Sequence, residues 1–98
     1  MSYLAFCTFD LKNASSQDYQ NAYADLDKIG LKKVAVSSQS TTVVIPTTAA
    51  MGEFNGSNVA SVRDDISNRI QNAFKARGFK SEIFVVVGGD WGWGSRTT

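Results

Sequence analysis

Apolar and polar positions follow two different periods along this chain, and the strand-like stretches lie at its start, middle and end. The opening run Tyr3–Phe9 is almost wholly apolar and leads into Asp10, which predicts a buried strand. Lys33–Ser37 and Thr42–Ile45 are rich in β-branched residues and flank a polar segment, so they are predicted to form a hairpin. Ile83–Val87 is apolar at every position, which indicates a final strand that is either buried on both faces or has a covered edge.

Two stretches between these strands have the period of amphipathic helices. The first begins after Ser15 and ends at Gly30, and Asp18 completes a capping box at its start. The second is capped by Asn58 and ends at Gly78. The apolar positions at helical spacing are Tyr19, Ala22, Tyr23, Leu26 and Ile29 in the first helix, and Val59, Val62, Ile66, Ile70, Ala73 and Phe74 in the second.

The resulting order βαββαβ predicts an α+β fold, the ferredoxin-like sandwich, in which a four-stranded antiparallel sheet carries both helices on one face. Thr47–Gly56 is expected to be an irregular connection, with Pro46 at a strand end because proline donates no ladder hydrogen bond. One domain is predicted over 1–98, with a Gly/Trp-rich tail at 88–98. The sheet face without helices would expose a large apolar patch, so a homodimer through that face is expected.

Composition narrows the classes of function. Apolar residues make up 43% of the 98 positions and charged residues 19%, which is typical of a folded domain. A net charge of +1 gives no strong field, so a nucleic-acid site would need a local basic patch. The absence of histidine excludes a Ser-His-Asp triad and most zinc sites. The single cysteine, Cys7, excludes an intrachain disulfide and is expected to be a small buried residue.

Neither a membrane nor a nucleotide cofactor is an expected partner. No apolar run approaches the roughly 20 residues that span a bilayer, and the opening run is too short for a signal-peptide core and lacks a basic leader. A cytoplasmic location without membrane contact is therefore predicted. No P-loop or dinucleotide fingerprint is present, because Gly88-Gly89 follows a strand but opens no helix, so no nucleotide cofactor is expected.

Four short segments resemble those of a known family. They are Thr8–Asp10 followed by Ser15–Ser16 and a helix, the hairpin, the segment Val44–Ala50, and the helix start Arg63–Ile66. In this order they resemble the GhoS-type endoribonuclease antitoxins, which are similar in fold to the CRISPR-associated small endoribonucleases. The resemblance implies cleavage of a toxin's messenger RNA by a homodimer in which Asp10 of each copy faces the other across a two-fold axis and binds a divalent cation.

Asp10 is the predicted catalytic residue and the predicted metal ligand. One carboxylate is too few to hold an ion, but two brought together by a dimer axis, with backbone carbonyls and water, would hold Mg²⁺. Such a site could orient a nucleophilic water or stabilise the charge that develops during RNA cleavage. The alternative is structural: Asp10 would begin the turn Asp10–Asn13 by bonding to its own backbone.

Basic residues in two places are candidates for contacts with RNA phosphates. Arg63 and Arg69 lie on the second predicted helix, and Lys32 and Lys33 lie at the start of a predicted strand. These residues do not form one stripe, and Asp64–Asp65 interrupts them. The alternative is a solvated face of an amphipathic helix.

The tail carries Trp91 and Trp93, which alternate with glycines at strand spacing. Both rings are predicted to lie in a dimer interface, with stacking on unpaired bases or disorder as the alternatives. Taken together, the residues and the resemblance predict a small endoribonuclease that acts on single-stranded RNA. A non-catalytic dimeric module that binds RNA, a protein or a small metabolite is the alternative, because histidine is absent and the net charge is close to zero.

Overall fold

The structure, a computed structural model, describes residues 1–37 and 39–98. Over these residues it contains two helices and five strands, in the order βαβββαβ. No helix in the described part of the chain is long and apolar enough to cross a membrane. The elements are β1 (Ser2–Leu11), α1 (Ser16–Ile29), β2 (Val34–Val36), β3 (Thr42–Val44), β4 (Ala49–Asn55), α2 (Val59–Ala76) and β5 (Ser81–Gly88).

The strands form two separate sheets. The larger is antiparallel with the order β4-β1-β5, so β1 is its central strand. The smaller is the β2–β3 hairpin, in which Val34 lies opposite Val44 and Val36 lies opposite Thr42. The predicted hairpin is confirmed; Ser38, which belongs to its predicted loop, lies outside the described residues. The prediction of a single four-stranded sheet is wrong, because the hairpin stands apart from the sheet that holds β1.

The third strand of the large sheet comes from a segment that the sequence predicted to be irregular. Residues 49–55 pair with β1 from Ser2↔Asn55 to Thr8↔Ala49. Their sequence, AAMGEFN, is poor in the β-branched and aromatic residues that favour strands. Pairing with a long central strand outweighs this weak local preference, so the predicted connection over 47–56 is wrong.

In the described part of the chain, an isolated bridge joins β4 to the segment just before the hairpin. Lys32 pairs with Met51 on the outer edge of β4, and their backbone N–H groups donate to each other's carbonyls at 2.8 and 2.9 Å. The chain then leaves this edge and forms the hairpin from Val34 onward. Contact between this segment and the edge of β4 is thus limited to the pairing of Lys32 with Met51 among the described residues.

The core lies between the large sheet and both helices. Every second residue of β1 is buried there: Tyr3, Ala5, Cys7, Phe9 and Leu11. The ring centroid of Phe9 is 5.5 Å from that of Tyr23 in α1 and 5.3 Å from that of Phe74 in α2. Because one side chain of β1 contacts both helices, the two helices cover the same face of the sheet.

Both helices begin at the residues that the sequence predicts. The Ser15 hydroxyl accepts from the Asp18 N–H at 3.1 Å, and the Asp18 carboxylate accepts from the Ser15 N–H at 3.0 Å. Asn58 Oδ1 accepts from the Ser61 N–H at 2.8 Å. Gly30 ends α1 with φ 110°, a left-handed conformation that glycine adopts without strain.

Replacing the cap of α2 gives a first test of this account. Asn58→Ala is expected to lower the free energy of unfolding by about 1 kcal/mol, because the side-chain acceptor for a first-turn N–H is lost. Urea unfolding monitored by circular dichroism would measure the change. Asn68→Ala, at an exposed interior position of the same helix, is the matched control and should be neutral or slightly stabilising. Equal losses for the two variants would contradict the capping role.

The buried thiol gives a second test. Cys7 has no exposed surface, and burial raises its pKa from 9.0 to about 11, against a smaller opposing effect of a backbone hydrogen bond from Ala50. The thiolate is the reactive form, so the native thiol is expected to resist a disulfide reagent at pH 8 and to react at once in denaturant. Rapid labelling of the folded protein would contradict this burial.

Candidate functional site

The face of the large sheet opposite the helices is named the open face. Alternate residues of β1 and β5 project from it and stand opposite each other in the order Phe6↔Val86, Thr8↔Phe84 and Asp10↔Glu82. Phe84 is 63% exposed and Val86 51%. Exposed apolar rings and methyl groups side by side with carboxylates make this face the most unusual surface of the molecule.

Asp10 lies one residue before the end of β1, on this face. Its Oδ1 atom accepts a hydrogen bond from the Tyr19 hydroxyl at 3.2 Å. The same hydroxyl lies 3.3 Å from the Leu11 carbonyl oxygen and accepts from the Leu11 N–H at 3.2 Å. A hydroxyl carries one proton, so it donates either to Asp10 or to the Leu11 carbonyl at a given moment. Tyr19 thereby ties the Asp10 carboxylate to the first turns of α1.

The Asp10 carboxylate opens into a shallow cleft of about 440 Å³ that Thr8, Thr48, Glu82 and Phe84 also line. Asp10 does not begin the predicted turn by a bond to its own backbone: the hydrogen bond found for its carboxylate in the described part of the chain is the one from Tyr19. The carboxylate is exposed, so its second oxygen can reach a ligand. The Asp10 carboxylate is therefore accessible to a ligand, and Tyr19 holds one of its two oxygens.

The donors around Asp10 fit Mg²⁺ in type but are few in one chain. Asp10 and Glu82 face each other across the sheet, where side chains of opposed residues begin about 5 Å apart, and carboxylate oxygens are the ligands that Mg²⁺ prefers. Lys12 Nζ lies 3.6 Å from Glu82 Oε1 and competes for it. Within residues 1–37 and 39–98 no group of three or more His, Cys, Asp or Glu side chains is close enough together to hold an ion.

The predicted phosphate-binding residues lie elsewhere. Arg63 and Arg69 belong to α2, on the far side of the sheet from the open face. Each is bonded to an acid of its own helix, Arg63 to Asp64 at 2.9 Å and Arg69 to Asp65 at 3.2 Å. The hydrogen bond to Asp64 raises the pKa of Arg63 further.

The two lysines are engaged as well. Lys32 Nζ bonds to Asp27 at 2.7 Å, and Lys33 Nζ lies 4.0 Å from the centre of the Tyr23 ring, a distance typical of a cation–π contact. The structure therefore does not bring these four basic residues to Asp10. Exposed ion pairs contribute little energy and are easily exchanged, so phosphate contacts at these residues stay a prediction.

The tail after β5 returns over the protein. Trp91 and Trp93 line a groove together with Val36 and Val43 of the hairpin. Trp93 also lines a second groove, with Leu4 and other residues of the open face. The residues are 36% and 39% exposed, so much of their surface is covered by the same chain. A role in a dimer interface stays a prediction.

No protein-family model, curated protein or solved structure matches this chain. The resemblance to the GhoS-type antitoxins therefore stays a prediction that depends on the segments quoted above.

Two residues at the site were not predicted from the sequence. Tyr19 was expected to be a core residue, and it does contact Phe9, with ring centroids 6.1 Å apart. Its hydroxyl at the rim of the core is what reaches Asp10, and a tyrosine in the first turn of the helix after β1 was the available signal. Glu82 comes opposite Asp10 only through the register of β1 and β5, which no local pattern discloses.

Proposed function

We propose that this protein is a small endoribonuclease that cleaves single-stranded RNA, resembles an antitoxin that degrades a toxin's messenger RNA, and acts as a cytoplasmic homodimer. The observation that carries the proposal is the position of Asp10: exposed at the end of the central strand, held by Tyr19 at 3.2 Å and directly opposite Glu82. An accessible carboxylate with a fixed orientation, beside a cleft, is the arrangement that general acid–base catalysis needs.

The proposal includes a relation to the ferredoxin-like fold. Two helices on one face of an antiparallel sheet, with the first strand central, agree with that fold. The Lys32–Met51 bridge occupies the edge where a fourth strand would lie. In this interpretation the fourth strand is reduced to one bridge, and β2–β3 is a hairpin that projects from the edge.

A dimer would complete the site. Because the described residues of one chain bring no third carboxylate to Asp10 and Glu82, a second copy is needed to supply further ligands. Phe84 is the largely exposed ring next to the Asp10 cleft, and burying it against its own copy would remove apolar surface from water. Stacked sheets lie about 10 Å apart, so overlap at Phe84 would bring the two Asp10 residues within reach of one site.

The residues have separate roles in the proposed reaction. Asp10 and Glu82 would hold the metal, and Mg²⁺ when bound supplies a Lewis acid that offsets the charge of the phosphate. In the dimer the free oxygen of one Asp10 would hold the metal, and that of the second copy's Asp10 would orient the attacking water and accept its proton. As the water oxygen bonds to phosphorus, the bond from phosphorus to the leaving ribose oxygen would break, and that oxygen would take a proton from solvent. Tyr19 fixes the carboxylate by donating to Oδ1, which reduces the number of orientations that it samples.

A non-catalytic module that binds RNA, a protein or a small metabolite as a dimer is the second candidate. The observation that favours this candidate is the small number of possible metal ligands at the site, since no third His, Cys, Asp or Glu joins Asp10 and Glu82 in the described residues. Such a module would use the open face without breaking a bond.

The experiment that separates the two candidates is a cleavage assay with purified protein. End-labelled single-stranded RNA would be incubated with the protein in Mg²⁺ and, in parallel, in EDTA. We expect fragments in Mg²⁺ and none in EDTA. Intact RNA in both would overturn the catalytic proposal, and retention of that RNA in a gel-shift assay would then favour the binding module. Fragments in EDTA would overturn the role of the metal alone.

A further inference from the structure

We infer that the groove between the tail and the open face, named the tail groove, binds an unpaired base of single-stranded RNA. The inference rests on the proposed function and adds the place where the RNA strand is held. The tail groove has a volume of about 490 Å³, within the range of roughly 300–1,000 Å³ that small-molecule sites have. Its residues come from β1, β3, β4, β5, the segment after β3 and the tail.

The lining of the tail groove suits a flat, largely apolar ring. Leu4, Phe6, Met51 and Val86 lie on the sheet side, and Trp93 lies on the tail side. Stacking of a base on an aromatic side chain strengthens single-strand binding roughly five- to a hundred-fold per base, without a strict sequence preference. Trp93, only partly covered by its own chain, has ring surface left for such a contact.

The charge of the tail groove suits a phosphate. Arg96 lines it, and the hydrogen bond found for its guanidinium goes to the Ser95 carbonyl at 2.8 Å. No salt bridge to Arg96 is present in the described part of the chain. Among the described residues that line the groove there is no carboxylate; Glu53 is opposite Leu4 in the sheet but does not line the groove. A guanidinium without an acid partner favours an anionic ligand such as a phosphodiester.

The position of the tail groove relative to the Asp10 cleft favours an RNA strand over a free nucleotide as the ligand. Val86 in the tail groove and Glu82 opposite Asp10 lie on the same face of β5. Four residues of an antiparallel strand span about 13 Å. A strand with one base in the tail groove can therefore run along the open face to the Asp10 cleft, which explains why the two features share one face.

A second copy of the chain is the competing occupant. A stable interface buries roughly 800 Å² on each partner and is nearly flat at its centre, whereas the tail groove is concave and its walls belong to the same chain. The dimer proposed above overlaps at Phe84, which does not line the tail groove. Phe84 lies between Val86 and Glu82 on β5, so in a dimer the RNA strand would pass it on the side of β1 and β4, and the contact between the copies would lie on the side of β5.

The test uses the fluorescence of tryptophan, because the only two tryptophans of the chain are in the tail. The ligand is a 2′-O-methyl oligouridylate, which cannot be cleaved through its 2′ hydroxyl, and the titration is made in EDTA, which removes the metal that the proposed attack by water needs, so binding is measured apart from cleavage. We expect quenching of the parent on titration. Because Trp93→Leu removes the reporter ring, the Kd of each variant is measured by the fluorescence anisotropy of a dye-labelled oligomer; it should rise at least ten-fold in Trp93→Leu and change less than three-fold in the control Trp91→Leu, since Trp91 lines only the neighbouring groove. Arg96→Gln should weaken binding and reduce its dependence on salt.

Each contrary result has a defined meaning. No quenching, or equal weakening in the two tryptophan variants with unchanged circular dichroism, would overturn the inference. If uridine monophosphate bound as tightly as the oligomer, the tail groove would be a site for free nucleotides, and the inference that it holds an RNA strand would be overturned. A monomeric Trp93→Leu variant in sedimentation, from a dimeric parent, would assign it to the second copy. If Trp93→Leu cleaved ordinary RNA at the parent rate, the role of the tail groove in binding RNA would be overturned and the proposed activity would stand. Tight binding of RNA by a parent protein that does not cleave it would overturn only the proposed activity.

Discussion

Gly52→Ala is expected to lower the free energy of unfolding by roughly 3 kcal/mol, the upper part of the range for overpacking a filled site. A Cβ atom at Gly52 would overlap the carbonyl oxygen of Gly30 and come within 3.3 Å of the Phe54 ring. Gly30 cannot retreat easily, because its N–H is bonded to the carbonyls of Leu26 and Asp27 at the end of α1. The methyl group would therefore push β4 away from α1.

The change is measured by urea unfolding of Gly52→Ala beside its parent. Gly88→Ala is the matched control: Gly88 also lies in a strand of the large sheet, and a Cβ atom there meets nothing within 4 Å. The control should stay within about 0.5 kcal/mol of the parent. If both variants unfolded at the same urea concentration as the parent, the close approach of β4 to α1 would be contradicted.

The helices and four of the five strands in the described residues could be predicted because their signals are local. Ser15 with Asp18, and Asn58 before an apolar stripe, mark helix starts within a few residues. β4 has no such signal: alanine, glycine, glutamate and asparagine do not favour strands. What makes β4 a strand is its seven-residue register with β1, and what makes Gly52 necessary is the approach of α1. Both are contacts between distant parts of the chain.

The hairpin is a second case in which the local sequence does not determine how a strand pairs. Its valines predict strands, and strands form. Yet Val34, Val36 and Val44 are all largely exposed, so the β-branched pattern indicated backbone conformation and not membership of the main sheet. The four-stranded sheet was predicted from the order of the elements, and that order does not determine whether the hairpin joins the sheet that holds β1.

The candidate site also has one residue that the local sequence indicates and others that it does not. Asp10 could be predicted because an acid at the end of an apolar strand is unusual in the sequence itself. Its partners could not, since Tyr19 reaches it from α1 and Glu82 from β5. The basic residues were chosen by charge alone, and the structure pairs Arg63, Arg69 and Lys32 with neighbouring acids.

Asp10→Asn is expected to lower the rate of RNA cleavage by about 100-fold or more, in keeping with the loss of a group that moves a proton or holds a metal. Asparagine keeps the shape of the side chain and an oxygen that accepts from Tyr19, so the fold should be unchanged. The rate is measured on end-labelled single-stranded RNA in Mg²⁺. Glu53→Gln is the matched control, because Glu53 lies in the same sheet and does not line the Asp10 cleft; it should cleave at the parent rate.

Mixing the parent with Asp10→Asn then tests whether the two copies share one site. Two-fold symmetry makes both subunits contribute the same patch, so random reassembly of equal amounts gives about one quarter parent dimers, about one half mixed dimers and about one quarter variant dimers. If each site needs both aspartates, the mixture retains about one quarter of the parent activity. If each Asp10 works alone, it retains about one half, and the shared site would be wrong while the role of Asp10 stands. Full activity of Asp10→Asn by itself would remove Asp10 from the reaction and leave the open face with a binding role.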